Sequence, residues 1–352
     1  MLRELSEEEL DTYSRQIVLR DIGYEGQIRI RGARVCVAGV GGLGSTIVTQ
    51  LAGMGVGLLR IVDRDVVERP NLHRQSVFSV DQLGMPKVEA AEERIREVNP
   101  DVEVEALPLS VNESNSESIV EGMDVVLDGL DTLAARRIVN RACVRLGVPY
   151  VFGAAIEMFG NASTIIPGET ACLDCFLPAQ EPSATCATVG VHPSLVSIIA
   201  SVEVSEAVKL ITGAKPSLAN KLLFVDLRKM LFEAIDISRS DSCKTCSGAQ
   251  SPQEDESTGK FNVEEICPTR GLSYYVISPN ARFDLDLNRG LPSELENLIK
   301  IKSIYRLGIV LLLRDGLEIC LLKSGVGIVR GARDGFDALQ SYMRALSLFN
   351  NE

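Results

Sequence analysis

Short apolar runs recur along the chain, and the stretches between them return to apolar residues every three or four positions. The runs near 34–39, 58–63, 102–107, 123–128 and 149–153 read as buried strands. Lys87 to Val98 and Leu133 to Leu146 carry the helical period between them, and Leu5 to Ile17 reads as a leading helix rich in Glu. Strands alternating with helices predict a parallel, Rossmann-like α/β sheet wrapped on both faces. After residue 153 the alternation fades. Ala162 to Ile166, Leu222 to Leu227 and Lys229 to Ile237 read as strands extending the sheet in antiparallel fashion, and Ser194 to Ile211 reads as one apolar helix.

The pattern divides the chain into residues 1–247, a linker at 248–260 rich in Ser, Gln, Gly, Pro and acids, and a small C-terminal α+β domain at 261–352. Within that domain Leu272 to Ile277 reads as a strand, and Ser293 with Glu296 makes a capping box before a short helix. Ser303 to Leu313, Leu317 to Leu322 and Val326 to Val329 form a strand meander with turns at Asp315-Gly316 and Ser324-Gly325. Phe336, Leu339, Met343 and Leu346 mark the buried stripe of a last helix. The domain reads either as a packing or dimer-supporting appendage or as a docking module.

The first two strands carry the candidate chemistry. Gly39-Val40-Gly41-Gly42-Leu43-Gly44 follows the apolar run Val35 to Ala38 and opens a helix, and the next strand ends in Asp63. Such a turn brings the backbone close to a phosphate chain at a helix N-terminus, and the terminal acid is placed to accept from a ribose. A dinucleotide dehydrogenase uses the same glycines. Downstream residues favour ATP over a nicotinamide cofactor. Arg74, in Asn71-Leu72-His73-Arg74-Gln75, and Lys87, in Gly84-Met85-Pro86-Lys87, can neutralise phosphate oxygens, and Asp131, just past the run Val125 to Leu127, can hold Mg2+. Taken singly, Arg74 and Lys87 read equally well as surface charges.

The cysteines fall into two kinds. Cys172-x-x-Cys175 and Cys243-x-x-Cys246 are two knuckles whose four thiolates make a closed tetrahedral Zn2+ site, with a redox pair as the rival reading. Cys36 and Cys143 lie on apolar faces and read as core, whereas Cys267 and Cys320 carry no signal. Cys186 lies in the small-residue stretch Ala184 to Gly190, an open setting that suits a nucleophile.

Composition narrows the classes. The 352 residues are 45% hydrophobic, enough for a real core, and the net charge of −12 excludes a nucleic-acid surface. No signal segment or membrane-spanning run is read, and zinc-type cysteine spacing indicates a reducing, cytoplasmic setting. There are only two histidines, His73 and His192, both read as structural or variable positions.

Tyr13-Ser14-Arg15-Gln16, the glycine turn, Asp63, Asn71-Leu72-x-Arg74-Gln75, Gly84-x-Pro86-Lys87 and Asp128-x-x-Asp131 stand in one order along residues 5–247. In this the chain resembles the ThiF/MoeB-type adenylyltransferases and the adenylation domain of ubiquitin-activating enzymes. The resemblance implies ATP-dependent adenylation of the C-terminal carboxylate of a ubiquitin-like or sulfur-carrier protein ending in Gly-Gly, with release of pyrophosphate. It places Gly41 against the phosphates, Asp63 on the ribose, Asn71, Arg74 and Lys87 on the phosphates, and Mg2+ on Asp131. It also implies the zinc site and a homodimer in which Arg15 reaches the other subunit's site. Arg136 matches a further family position. Thr132 stands where the family usually has Asn.

In sulfur-carrier relatives a Cys matching Cys186 forms a covalent link with the carrier or takes part in sulfur transfer, while other relatives stop at the adenylate. The C-terminal domain does not resemble the rhodanese domain fused to some members, so a sulfur donor would be a separate protein. The adenylate then has two open fates, a thiocarboxylate or a thioester passed to a conjugating enzyme. A nicotinamide-dependent oxidoreductase and a non-catalytic nucleotide-binding scaffold are the readings from other classes.

Overall fold

The structure, a computed structural model, describes residues 4–177, 189–247, 260–266, 274–281, 283–288 and 299–349. Its main sheet has eight strands in the order β3-β2-β1-β4-β5-β6-β7-β8. These are β1 (Arg34–Ala38), β2 (Leu58–Val62), β3 (Glu103–Leu107), β4 (Val125–Asp128), β5 (Tyr150–Ile156), β6 (Phe159–Ile165), β7 (Lys221–Asp226) and β8 (Leu231–Asp236). The first five in that order pair in parallel, and β5 through β8 continue antiparallel, as the fading alternation predicted. Val35, Cys36, Val37 and Ala38 are all fully buried, because a parallel strand is covered on both faces and needs an unbroken apolar run.

One face is covered by α4 (Gly42–Met54), α5 (Lys87–Val98) and the long α9 (Pro193–Thr212), through Ile47, Leu51, Ile95, Leu195, Ile199 and Val204. The other is covered by α6 (Ser116–Val120) and α7 (Leu133–Leu146), with Cys36 and Cys143 in that core. Two differences from the sequence reading fall at the N-terminus. The stretch Leu5 to Ile17 is not one helix but α1 (Glu7–Thr12) and α2 (Ser14–Ile17), broken at Tyr13. The Tyr13 ring is buried there, and its hydroxyl accepts a 2.8 Å hydrogen bond from Asn99 Nδ2. A further helix, α3 (Gly23–Gly32), forms despite three glycines because burial of Ile28 and Ile30 outweighs their poor propensity.

The second sheet has six antiparallel strands in the order β11-β12-β13-β14-β10-β9. In chain order they are β9 (Phe261–Ile266), β10 (Tyr274–Pro279), β11 (Ile299–Ile304), β12 (Gly308–Leu313), β13 (Glu318–Leu322) and β14 (Gly327–Arg330). The run Ser303 to Leu313 is therefore not one strand: it turns at Tyr305–Gly308, where Tyr305 N–H donates to Gly308 O at 2.7 Å. The edge strand β9 went unread because Glu264 and Glu265 interrupt its alternation. The last helix, Gly335–Phe349, keeps half of the expected stripe at the core, Leu346 buried and Leu339 packed beside it. Ala338, Tyr342, Ala345, Leu346 and Phe349 are buried, whereas Phe336 is 73% and Met343 40% exposed. Tyr342 fixes this rotation, packing edge-on against Phe261 and donating from its hydroxyl to Gly325 O at 2.6 Å. The linker, the Ser293–Glu296 capping box, Cys186 and Cys267 lie outside the described residues.

The opposite face of the second sheet rests on the first. Val66, just past β2, is enclosed by Val276, Val310, Cys320, Leu322, Val326 and Ile328. Glu89 on α5 accepts the backbone N–H groups of Arg306 and Leu307 at 2.9 and 2.8 Å, and Glu92 pairs with Arg306. Among the described residues no helix is long and apolar enough to cross a membrane.

The observed face of the last helix has a direct check by urea denaturation. Tyr342→Ala should cost about 3 kcal/mol, and Phe336→Ala should stay within about 0.5 kcal/mol of wild type. A larger loss at Phe336 would restore the stripe expected from sequence.

Candidate active site

The strand order reverses between β1 and β4, the crevice in which open α/β sheets bind ligands. Both lips of that crevice are loops the sequence singles out. The glycine turn leaves β1 with Gly39 at φ +92°, and a Cβ there would lie 2.4 Å from Gly129 O. A Cβ on Gly44 would lie 1.9 Å from Gly39 O. Gly39 is demanded by the close approach of the loops at 39–44 and 128–131, and Gly44 by the tight folding of the turn onto its own backbone. Gly41 is different: a Cβ there would meet only Gly129 O at 3.7 Å and Gln75 Nε2 at 3.9 Å. It opens a cradle at the start of α4, whose N-cap has no side-chain hydrogen bond, leaving backbone donors for an anion.

Asp63, at the end of β2, accepts from Val40 N–H at 2.7 Å and from Asp65 N–H at 2.8 Å. It thereby pins the glycine turn. Burial raises its pKa, and the Lys87 charge opposes that rise without cancelling it. Lys87 is buried at the first position of α5 and donates to Asp65 Oδ2 at 2.8 Å. Burial alone would lower its pKa, but Asp65, Asp63 and Asp131 outweigh that and hold the ammonium above its ordinary value. In Asp65 burial is likewise outweighed, by Lys87 and then Arg64, and the carboxyl sits low. Asp131 is exposed at the crevice, and Arg64, Lys87 and Arg136 all feel its charge.

Arg74 lies against the turn, with its Cδ 3.9 Å from where a Gly42 Cβ would sit, and its Nη1 donates to Pro70 O at 2.9 Å. Asn71 is buried and accepts from Glu68 N–H through Oδ1 at 3.0 Å. Gln75 is buried beside Gly41, and its Oε1 has no partner among the described residues. Arg74 and Gln75 thus lie beside the glycine turn that Asp63 pins, and Asn71 holds them there, its backbone oxygen accepting their N–H groups at 3.1 and 3.0 Å. Arg15 is exposed on α2. His73 is exposed with Nδ1 2.9 Å from Pro70 O, and His192 caps α9 by accepting from Ser194 N–H at 3.3 Å. Both are thus placed as ordinary loop residues.

Thr132 has a local reason: its hydroxyl caps α7, accepting from Ala135 N–H at 3.3 Å. Arg136, one turn on, is mostly buried and donates to Asp128 Oδ2 at 2.9 Å, Leu130 O at 2.6 Å and Gly153 O at 3.0 Å. Tyr150 donates to the same carboxylate at 2.7 Å, and Glu203 on α9 accepts from Asp128 N–H at 3.1 Å. Burial pushes the Glu203 carboxyl well up, as does the neighbouring Asp128. This network fixes the loop that carries Asp131.

Sequence reading missed Asp65, Tyr150 and Glu203. Asp65 had a signal, since residues two apart on an extended segment share a face with Asp63. Glu203 had a weaker one, an acid inside the apolar helix.

The four knuckle cysteines converge although Cys243 lies 68 positions beyond Cys175. Their Sγ atoms all lie within 4.8 Å of one another. Neighbouring Sγ–Sγ separations are 3.9 Å (Cys172–Cys175), 3.7 Å (Cys172–Cys243) and 3.6 Å (Cys175–Cys246). A tetrahedron with metal–sulfur bonds of about 2.3 Å has edges of about 3.8 Å, so the cluster fits a metal ion. Asp174 braces the two knuckles, accepting from Thr245 Oγ1 at 2.6 Å and pairing with Arg137 at 3.2 Å.

The fold agrees with the comparisons. Residues 13–245 match the ThiF family, and the chain belongs to it. It is 40% identical over 249 residues to the SAMP-activating enzyme E1 of Haloferax volcanii, covering 70% of this chain and 92% of that one. It is 35% identical over 257 residues to the sulfur carrier protein adenylyltransferase of Thermus thermophilus, covering 71% and 95%. Among solved structures, E. coli MccB with ATP superposes with a TM-score of 0.61 at 23% identity, over 69% of this chain and 77% of that one. The likeness to MccB bears on the fold alone. The chain is an enzyme of the adenylyltransferase class.

The cysteine cluster should contribute folding free energy directly if a metal closes it. Cys175→Ser is expected to lower the unfolding midpoint by about 10 °C, and a strong chelator should shift the wild type the same way. A midpoint unmoved by both would show a cluster of ordinary thiols.

Proposed function

We propose that this chain adenylates the C-terminal carboxylate of a ubiquitin-like or sulfur-carrier protein ending in Gly-Gly, using ATP and releasing pyrophosphate. The observation that supports the reading is buried Lys87, paired with Asp65 at 2.8 Å and acted on by the charge of Asp131, together with the uncrowded position of Gly41 at the start of α4. The relatives named for SAMP activation and sulfur-carrier adenylation support the same class of partner. A free α-carboxyl group has a pKa of about 3.3–3.7, so it is already a nucleophile at neutral pH and needs no histidine base. It attacks the α-phosphorus, and pyrophosphate departs.

In this reading Gly39, Gly41, Gly42 and Gly44 shape the backbone against the phosphates. Asp63 takes the ribose, and Asn71, Arg74, Gln75 and Lys87 hold the polyphosphate and its developing charge. Asp131 holds Mg2+, which when bound neutralises phosphate oxygens. The four cysteines hold Zn2+, a structural ion remote from the reaction. A homodimer completes the assembly, with Arg15 supplied across the interface. Thiocarboxylate formation with a separate sulfur donor and thioester transfer to a conjugating enzyme both begin from this adenylate.

Carrier-dependent exchange of pyrophosphate into ATP tests the reading. Asp131→Ala should abolish exchange, and Lys87→Ala or Arg74→Ala should lower it about a hundred-fold. Full activity of the Asp131 variant would remove the metal assignment, and tight NAD binding without ATP binding would remove the class. Cys186 separates the later step from the first, because adenylation uses no thiol. Cys186→Ala should keep exchange and lose any reductant-sensitive adduct with the carrier. An adduct that persists would assign the covalent step to another cysteine, and a wild type without one would end the chemistry at the adenylate.

A further inference from the structure

The second sheet lies beyond residues 13–245, and nothing above gives it a role. Its register aims one row of side chains at the loop that follows β2. Val310, Cys320, Ile328, Val276 and Glu264 are successive cross-strand partners from β12 to the edge strand β9. The four apolar members pack around Val66. The row ends at Glu264, whose carboxylate takes Arg64 in a two-point pair, Nη1 to Oε1 and Nη2 to Oε2, both at 2.8 Å. Arg330, in the adjoining row beside Tyr274, pairs with Glu68 at 2.7 Å. The loop 64–68 is thus gripped on both sides of Val66.

Arg64 stands between Asp63 and Asp65 in sequence. Glu264 dominates its charge environment, and after burial and Glu264 the next influences on it are Asp65 and Asp131. A guanidinium offers five donors and must find acceptors where it is only 21% exposed. Besides Glu264, the acids that act on its charge are Asp65, its neighbour in the chain, and Asp131. Each is assigned above to another partner, Asp65 to Lys87 and Asp131 to the metal.

We propose that the C-terminal sheet is a positioning element of the nucleotide site and acts through Glu264, which holds Arg64 away from Asp65 and Asp131. Glu264 is a positioning residue: it keeps a competing cation out of the crevice and itself touches no substrate. The proposal rests on the reading that Lys87 and Asp131 serve ATP with its metal. Anchorage of the sheet does not depend on the Glu264 pair. The Val66 cluster, the Glu89 and Glu92 contacts and the 2.5 Å Ser110–Ser278 hydrogen bond hold it independently. A pair whose members are 21% and 35% exposed adds little to stability.

The test is calorimetric titration of the full chain with ATP and Mg2+, without carrier, alongside thermal unfolding. Glu264→Gln should weaken ATP binding about ten-fold while moving the unfolding midpoint by no more than about 3 °C. The double variant R64Q/E264Q removes the competing cation as well and should recover affinity to within about two-fold of wild type. A strut that merely holds the sheet would give no such rescue. Unchanged affinity in Glu264→Gln, or a double variant no tighter than the single, would overturn the proposal. A wild type that binds no ATP, or a Lys87→Ala variant that binds as tightly as wild type, would instead remove the reading of the site and the proposal with it.

Discussion

A lysine at the first position of a helix is in the wrong place electrostatically. The helix N-terminus carries partial positive charge, and burial of an ammonium adds a desolvation penalty. Lys87 stands there, almost fully buried, because Asp65 meets it at 2.8 Å and Asp63 and Asp131 lie close enough to raise its pKa. Much of the surrounding architecture fixes those acids. Asp63 is locked by two backbone N–H groups, one of them from the glycine turn. Asp131 follows Asp128, whose carboxylate is held by Arg136 and Tyr150 and whose backbone N–H is held by Glu203. The same few residues therefore determine where β1, β2, β4 and α5 end and where positive charge points into the crevice.

That arrangement is better suited to a ligand than to stability. Replacing a buried ion pair by well-packed apolar residues is often neutral or stabilising, so a lysine kept in this position calls for a functional account. A polyphosphate supplies one. On the proposed reading it brings negative charge to the Lys87 ammonium, the start of α4 and Arg74. The position of Gly41 is open, unlike the crowded positions of Gly39 and Gly44, and on that reading is where the charge enters.

Sequence legibility followed the locality of the signal. The five parallel strands and the helices at 87–98 and 133–146 were readable because their apolar period is set by burial on both faces of one sheet. The residues proposed for the site were readable as candidates because motif spacing fixes them relative to strand ends. What escaped depended on distant contacts. The break at Tyr13 is decided by Asn99, 86 positions away. The face of the last helix is decided by Tyr342, which fits over Phe261 and under Gly325, so its larger apolar neighbours Phe336 and Met343 turn outward. The strand β9 carries two adjacent acids, and only the fold explains one of them, since Glu264 meets Arg64 two hundred positions earlier.

The docking of the second sheet also constrains how the site can move. Glu89 and Lys87 share the first turn of α5, and Glu89 is fixed by backbone donors from the turn at Tyr305–Gly308. Val66 follows Asp65 directly and is enclosed by the sheet. The two members of the Lys87–Asp65 pair are therefore each one or two residues from an anchor on the same rigid element. Relative motion of the two sheets would strain both anchors before it reached the rest of the crevice. Adenylation requires that a carboxylate, an α-phosphorus and a leaving pyrophosphate stay in line, and displacement of the donors by about 1 Å can cost a hundred-fold in rate. A sheet that clamps both sides of the lysine–aspartate pair limits that displacement without touching the reacting atoms.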